Sequence, residues 1–353
     1  MKTTTLILTA LVLSPTLLLA LKPTATRIAF APAAGTSLTK TFENKASLTL
    51  DSFTMTGAGV QPEMEMTMTT NQKLVVSDEY VSVKAGAPTK LLRTFDELGG
   101  DSSMSMKMTI MGQANDQSQN MRMKSEFQGK KVAFTWNAEK SEFDKAFEPE
   151  EEKVDLLKEL AEDMDFRAYL PEGDVKEGDT WTPDVAKLRH TFSPGGSLAL
   201  VPENTDEASL SMGADEMSSL TNAIGEKLEG EVKAKLVAVK DVDGRSCATI
   251  HIEIKVHSSA DMTEQARKAM EKVELPPGAG SIEIDHVDME FKFEGEGDLV
   301  WDIVGGHFRS FDLTGQATIK SEQGMKIDVG GRKMDLEQKR EMSGSTSYTA
   351  SAK

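Results

Sequence analysis

Apolar and polar residues alternate along most of this chain. Residues 63–70 read Glu-Met-Glu-Met-Thr-Met-Thr-Thr, which puts Met64, Met66 and Met68 at every second position. Met104, Met106 and Met108 repeat the pattern, and Met121 and Met123 repeat it again. A period of two is the side-chain repeat of a strand, so each group projects from one face of a sheet. Between positions 247 and 257 the alternation is strict. Ala248, Ile250, Ile252, Ile254 and Val256 point one way, and Cys247, Thr249, His251, Glu253, Lys255 and His257 point the other. Further strands are predicted over 47–55, 73–76, 80–84, 131–137, 230–240, 299–303, 307–318, 320–328 and 338–348. The phase of the alternation changes near Asp51-Ser52 and again near Asp285-His286, and a bulge at each place would reconcile the two halves of the strand. Short gaps such as Gln128-Gly129-Lys130, Val242-Asp243-Gly244-Arg245 and Val304-Gly305-Gly306 favour antiparallel hairpins.

Two stretches carry the other period. Val154, Leu157, Leu160, Ala161 and Met164 recur at spacings of three and four behind Pro149 and three glutamates, which predicts a helix over 150–166. A second helix is predicted over 260–272, ahead of Pro276-Pro277-Gly278. A third pattern over 215–228 has Met217, Leu220, Ile224 and Leu228 on one side, and short strands are read at 197–201 and 208–212. Runs of strands with segregated helices indicate an α+β fold: large, curved antiparallel sheets with a few covering helices. The expected organisation is an N-terminal signal or anchor (1–21), an Ala/Pro/Thr-rich linker (22–37), a first β-rich half (38–181) and a second (182–353).

The N-terminus reads as an export signal. Lys2 precedes an almost continuous apolar run from Leu6 to Leu21, interrupted by Pro15. Cleavage after Ala20 or at the small-x-small triplet Ala29-Phe30-Ala31, and retention as an anchor, are all compatible with the sequence. The expected destination is the periplasm or the extracellular space. Cys247 is the only cysteine, so no disulfide can form within one chain. A net charge of −17 disfavours nucleic acid as a partner.

Candidate chemistry is sparse. The methionines fit ordinary core packing, a pliable lining for a lipid or acyl chain, or a soft-metal site. Same-face residues two apart are about 6.5–7 Å apart along a strand, too far for adjacent thioethers to share an ion without folding inward. Cys247, His251, Glu253 and His257 share a strand face but spread over about 30 Å, so no single ion can use all four. His286 lies between Asp285 and Asp288 on what reads as a solvated face. Gly-x-Ser-x-Gly, His-Glu-x-x-His and phosphate-loop signatures are absent. No metal, cofactor or catalytic residue is expected.

Two further stretches carry a resemblance. Leu170-Pro171-Glu172 through Gly178-Asp179-Thr180-Trp181, and the hairpin over 299–313 with Trp301-Asp302 and Gly305-Gly306, resemble uncharacterised exported bacterial proteins. Some of these are similar to the periplasmic lipoprotein carriers, in which a curved antiparallel sheet wraps around helices. The resemblance implies an apolar concave face and no catalytic residues. The expected function is that of an exported, non-enzymatic binding protein for an apolar ligand such as a lipid or acyl chain. Its lining would be Met64, Met66, Met68, Met104, Met106, Met108, Met121 and Met123. The alternative is a structural or protein-interaction module of the cell envelope with a filled core.

Overall fold

A computed structural model describes residues 25–353 except 58, 60, 85, 111, 204–226, 272–280, 330 and 331. The apolar N-terminal run and the elements predicted at 208–212 and over most of 215–228 lie outside the described residues.

The protein is built from long antiparallel strands. β2 (Thr36–Thr56), β3 (Glu63–Lys84), β4 (Ala87–Ile110) and β5 (Gln113–Ser125) come from the first half of the chain. β11 (Glu229–Val242), β12 (Arg245–Asp261), β13 (Ser281–Asp302), β14 (His307–Val329) and β15 (Arg332–Ala352) come from the second. With β9 (Thr180–Trp181) and β10 (Leu200–Pro202) they form one sheet in the order β10-β5-β4-β3-β2-β15-β14-β13-β12-β11-β9. β6 (Lys131–Asn137) pairs with β4, and β7 (Glu142–Phe147) with β6, which brings the sheet to 13 strands. A separate two-residue pair joins β1 (Thr26–Arg27) to β8 (Asp174–Val175). Pairing of β2 with β15 unites the two halves of the chain in a single sheet.

Both expected bulges are present. The register slips at Ile284/His286 against β14, and Asp51 is the extra residue where Ser52 faces Glu341 and Leu50 faces Met342. The expected hairpins at 242–245 and 304–306 form, whereas the tight turn at 128–130 joins strands that do not pair with each other, because β6 pairs with β4 and β7 and not with β5. Asp243 and Gly244 both take positive φ, as a two-residue turn between twisted strands requires.

The α+β assignment is wrong: the protein is mainly β. Thr263–Glu271, inside the predicted second helix, is helical (α2), and a single turn at Arg189–Phe192 forms α1. The predicted helix over 150–166 is not formed. Only Val154–Leu157 makes a 3₁₀ turn, and the backbone beyond it is irregular. The apolar spacing there was real, because Leu157, Leu160 and Met164 are all buried. The backbone groups, however, have partners elsewhere. The Ala161 amide donates to the Gly195 carbonyl, and Ser197 donates to Glu159. Lys145 donates to the Lys158 and Leu160 carbonyls, and Arg93 to those of Ala161 and Glu162. A helix would have consumed these carbonyls internally.

The core lies under one half of the strands. Phe42, Leu74, Val76, Phe95, Ile250, Ile252, Trp301, Phe308 and Phe311 line the inner face there. The irregular segment 157–170 closes over them. Phe166, held at a left-handed φ of 54°, packs its ring 4.4 Å from that of Phe311 and 4.9 Å from that of Phe308. Residues 26–31, within the stretch read as a linker, are packed as well. Ile28 and Phe30 are buried, and the Ala29 carbonyl accepts a hydrogen bond from the Trp301 indole.

Candidate functional site: the methionine face and the split sheet

Register places the predicted methionines together. Met64 stands directly opposite Met108, Met66 opposite Met106, and Met68 opposite Met104. Met121 faces Ser102 and Met123 faces Gly100, so both lie on the same face of the neighbouring strand. That face continues into the core, because Leu74 and Leu98 follow the same parity along β3 and β4 and pair with each other. Met66 is buried at 8% exposure, Met104 is 37% exposed, and the other six are half-buried. The methionines therefore form in-register rows on the inner face, covered less completely than the aromatic half of the same strands.

The sheet divides beside these rows. β2 and β3 are paired from Thr36/Tyr80 as far as Thr49/Thr67. Beyond that point β2 continues with β15 to Thr56/Glu337, while β3 continues with β4 to Glu63/Thr109. The freed edge of β2 is satisfied by a side chain. Gln61 accepts from the Met55 amide through Oε1 (2.9 Å) and donates to the Phe53 carbonyl through Nε2 (3.1 Å). Leu50, Phe53, Met55 and Met342 lie on the inner face along the second lip, all half-buried. Sequence periodicity gave both strands, but not that Leu50, Phe53 and Met55 flank the methionine rows. The bulge at Asp51 keeps Leu50 and Phe53, three apart in sequence, on the same face.

A polar concavity lies on the other face. A recess of about 1040 Å³ is walled by two cross-strand rows. Glu253, Glu296, Thr314, Ser347, Lys45 and Asn71 form one, and Lys255, Glu294, Gln316, Ser345, Ser47 and Thr69 form the other. Both rows are polar. Between them, on the inner face, runs a row of small residues that includes Gly295, Gly315 and Ala46. The Phe293 ring lies over both glycines, where a Cβ would approach it to 2.6 Å. Glycines under an aromatic ring let a sheet coil sharply, and the polar side becomes concave as a result.

A buried charge network pins the irregular segment to the filled half. Lys40 donates to Asp165 (2.6 Å), Asp78 (2.8 Å) and Tyr80 (2.8 Å). Arg93 makes a two-pronged contact with Asp78 (2.7 and 2.8 Å), and Arg167 another with Glu162 (2.6 and 3.0 Å). Arg167 also reaches Asp165 (3.0 Å) and stacks 3.8 Å from the Phe30 ring centroid. Three cations thus meet four carboxylates, those of Asp78, Glu162 and Asp165 and that of Asp163, 3.5 Å from Arg167. Burial opposes ionisation of Asp165, but Lys40 and Arg167 outweigh it and hold the carboxyl at about 2. Burial likewise opposes ionisation of Asp78, and Arg93 and Lys40 bring it below the usual carboxylate range. At Glu162 burial prevails over Arg167 and raises the carboxyl. With every charge engaged by other protein groups, the network acts as a structural clamp.

The remaining sequence candidates stay apart. Cys247 is buried, and burial raises its thiol against the hydrogen bond from Arg309. His251 pairs with Asp298 at 2.9 Å, and His257 lies 3.7 Å from Glu229. Among the described residues no helix is long and apolar enough to cross a membrane.

No family model and no curated protein matches the chain. Among solved structures it is similar to an outer membrane channel from Pseudomonas putida F1, at 9% identity and a TM-score of 0.17, covering 90% of this chain and 97% of that one.

Proposed function

We propose that the protein is an exported, non-enzymatic binding protein for an apolar ligand of the lipid or acyl-chain class. The observation behind this reading is the set of in-register methionine pairs on β3 and β4, ranging from buried Met66 to exposed Met104 and continuous with the core, beside a division in the sheet. Thioether side chains adapt their shape at little cost, which suits a chain-like ligand of variable length. Met64 to Met68 spans about 14 Å of strand, long enough to lie along part of an acyl chain. The opposite face carries Lys, Glu, Ser and Thr, whereas the wall of a membrane-spanning barrel needs an outward apolar band. The apolar run at Leu6–Leu21 and the resemblance of two short stretches to uncharacterised exported bacterial proteins agree with export.

The direct test is titration of the mature protein with a fluorescent fatty acid. Saturable binding that is lost in a Met66→Glu/Met106→Glu double variant supports the reading. Absence of binding, or binding indifferent to both substitutions, refutes it. A second reading, a structural or interaction module of the cell envelope, is favoured by the filled aromatic half and by the polar lining of the large recess. Crosslinking in intact cells that recovers one envelope protein through the methionine face, with no lipid in native mass spectra, would decide for it.

A further inference from the structure

The outer face of the sheet brings three residues together that are far apart in the chain. His286 follows the bulge in β13, Glu322 lies on β14, and Glu337 lies on β15. One ligand-type atom from each lies within 4.8 Å of the others. The imidazole Nε2 is 3.5 Å from a Glu337 oxygen, and Nδ1 is 3.8 Å from Asp285. Tetrahedral coordination with bonds of about 2.0–2.2 Å sets ligand atoms about 3.3 Å apart, so small rotations would complete the set.

The backbone prepares this arrangement. His286 is paired with Gly324, and a Cβ on that glycine would come within 2.5 Å of the imidazole Cε1. The ring therefore lies flat over the glycine, directed across β14 toward Glu337. Asp285 lies on the Nδ1 side of the ring and Glu337 on the Nε2 side. The surroundings are anionic. Asp288 stands directly opposite Glu322, and the cations nearby are Lys339, 2.6 Å from Glu322, Lys326, 2.9 Å from Asp285, and Arg267, which donates to the Asp285 carbonyl at 2.9 Å.

We infer that His286, Glu322 and Glu337 form a cross-strand site for a divalent first-row metal ion of the zinc type. One imidazole and two carboxylates match the donor preference of zinc and leave room for water, whereas calcium and magnesium favour oxygen-only sets. The ion takes over Glu322 from Lys339 and ties β13, β14 and β15 together on the polar face. This inference is independent of the apolar-ligand reading.

Untagged, chelator-treated protein titrated calorimetrically with Zn²⁺ is expected to bind one ion, with a raised melting temperature. His286→Ala and Glu337→Gln should each weaken binding by about tenfold or more. Lys339→Gln should tighten it by removing the competitor for Glu322. His251→Ala, which changes the histidine paired with Asp298, should leave it unaltered. Absence of Zn²⁺ binding overturns the inference. So does binding that survives both ligand substitutions or that disappears in His251→Ala.

Discussion

The same strands behave differently at their two ends. In the filled half, β3 presents Leu74, Val76, Asp78 and Tyr80 inward, and all four are buried. In the methionine half, the same strand presents Met64, Met66 and Met68, of which only Met66 is buried. One end is fixed by ring contacts and paired charges with little freedom. The other relies on flexible thioethers on an open face. A long strand can thus carry a rigid platform and an adaptable surface without a domain boundary between them.

The largest expected effect tests the rigid end. Asp165→Ala strips Lys40 of its closest partner and removes one from Arg167, so it should destabilise by about 3–5 kcal/mol in urea unfolding. A loss near zero would mean that the clamp does not hold the segment over the core.

Acid should reach the same place next. Asp78 and Asp165 are more acidic folded than unfolded, so their contribution is complete above about pH 4 and is lost as pH falls toward 2. Glu162 has the opposite sign, because its raised carboxyl favours the folded state when protonated and costs stability as pH rises through its titration. The net fall in unfolding free energy should be on the order of 2 kcal/mol between pH 4 and 2. It should shrink in Asp165→Asn relative to that variant's own stability at pH 7.

At the adaptable end the effects are smaller. Met66→Ala should cost about 2 kcal/mol, near the low end for a buried methionine, because half-exposed neighbours can close the gap. Met104→Ala should fall within about 0.5 kcal/mol in the same assay while measurably lowering affinity for a fluorescent fatty acid. Equal destabilisation by these two substitutions would erase the distinction between the ends.

Much of the sheet was readable from alternation alone. The two phase changes marked both bulges, and the methionine groups proved to share one face. The strands predicted over 73–76 and 80–84 are parts of one strand with the methionine run, because β3 continues through Asn71-Gln72 and Ser77-Asp78. Asp78 is tolerated inside because Lys40 and Arg93 neutralise it. A clue was present: Lys40 lies between Leu38 and Phe42 on the inward parity, and Asp78 between Val76 and Tyr80. Charges at apolar positions signal a partner, but the partners come from segments far along the chain. The helix predicted over 150–166 failed for the related reason that its carbonyls serve Arg93 and Lys145, which no local pattern reveals. His286, Glu322 and Glu337 were invisible as a group because only the strand register makes them neighbours.

The seam between β2 and β15 sets Lys40 against Ala352. Contacts of such extreme sequence separation are slow to form, since nearly the whole polypeptide must be looped before they can reward closure. Until β15 arrives, β2 and β14 each expose a raw ladder of amides and carbonyls able to recruit a neighbouring chain. Slow refolding, with a yield that falls as protein concentration rises, is the expected consequence.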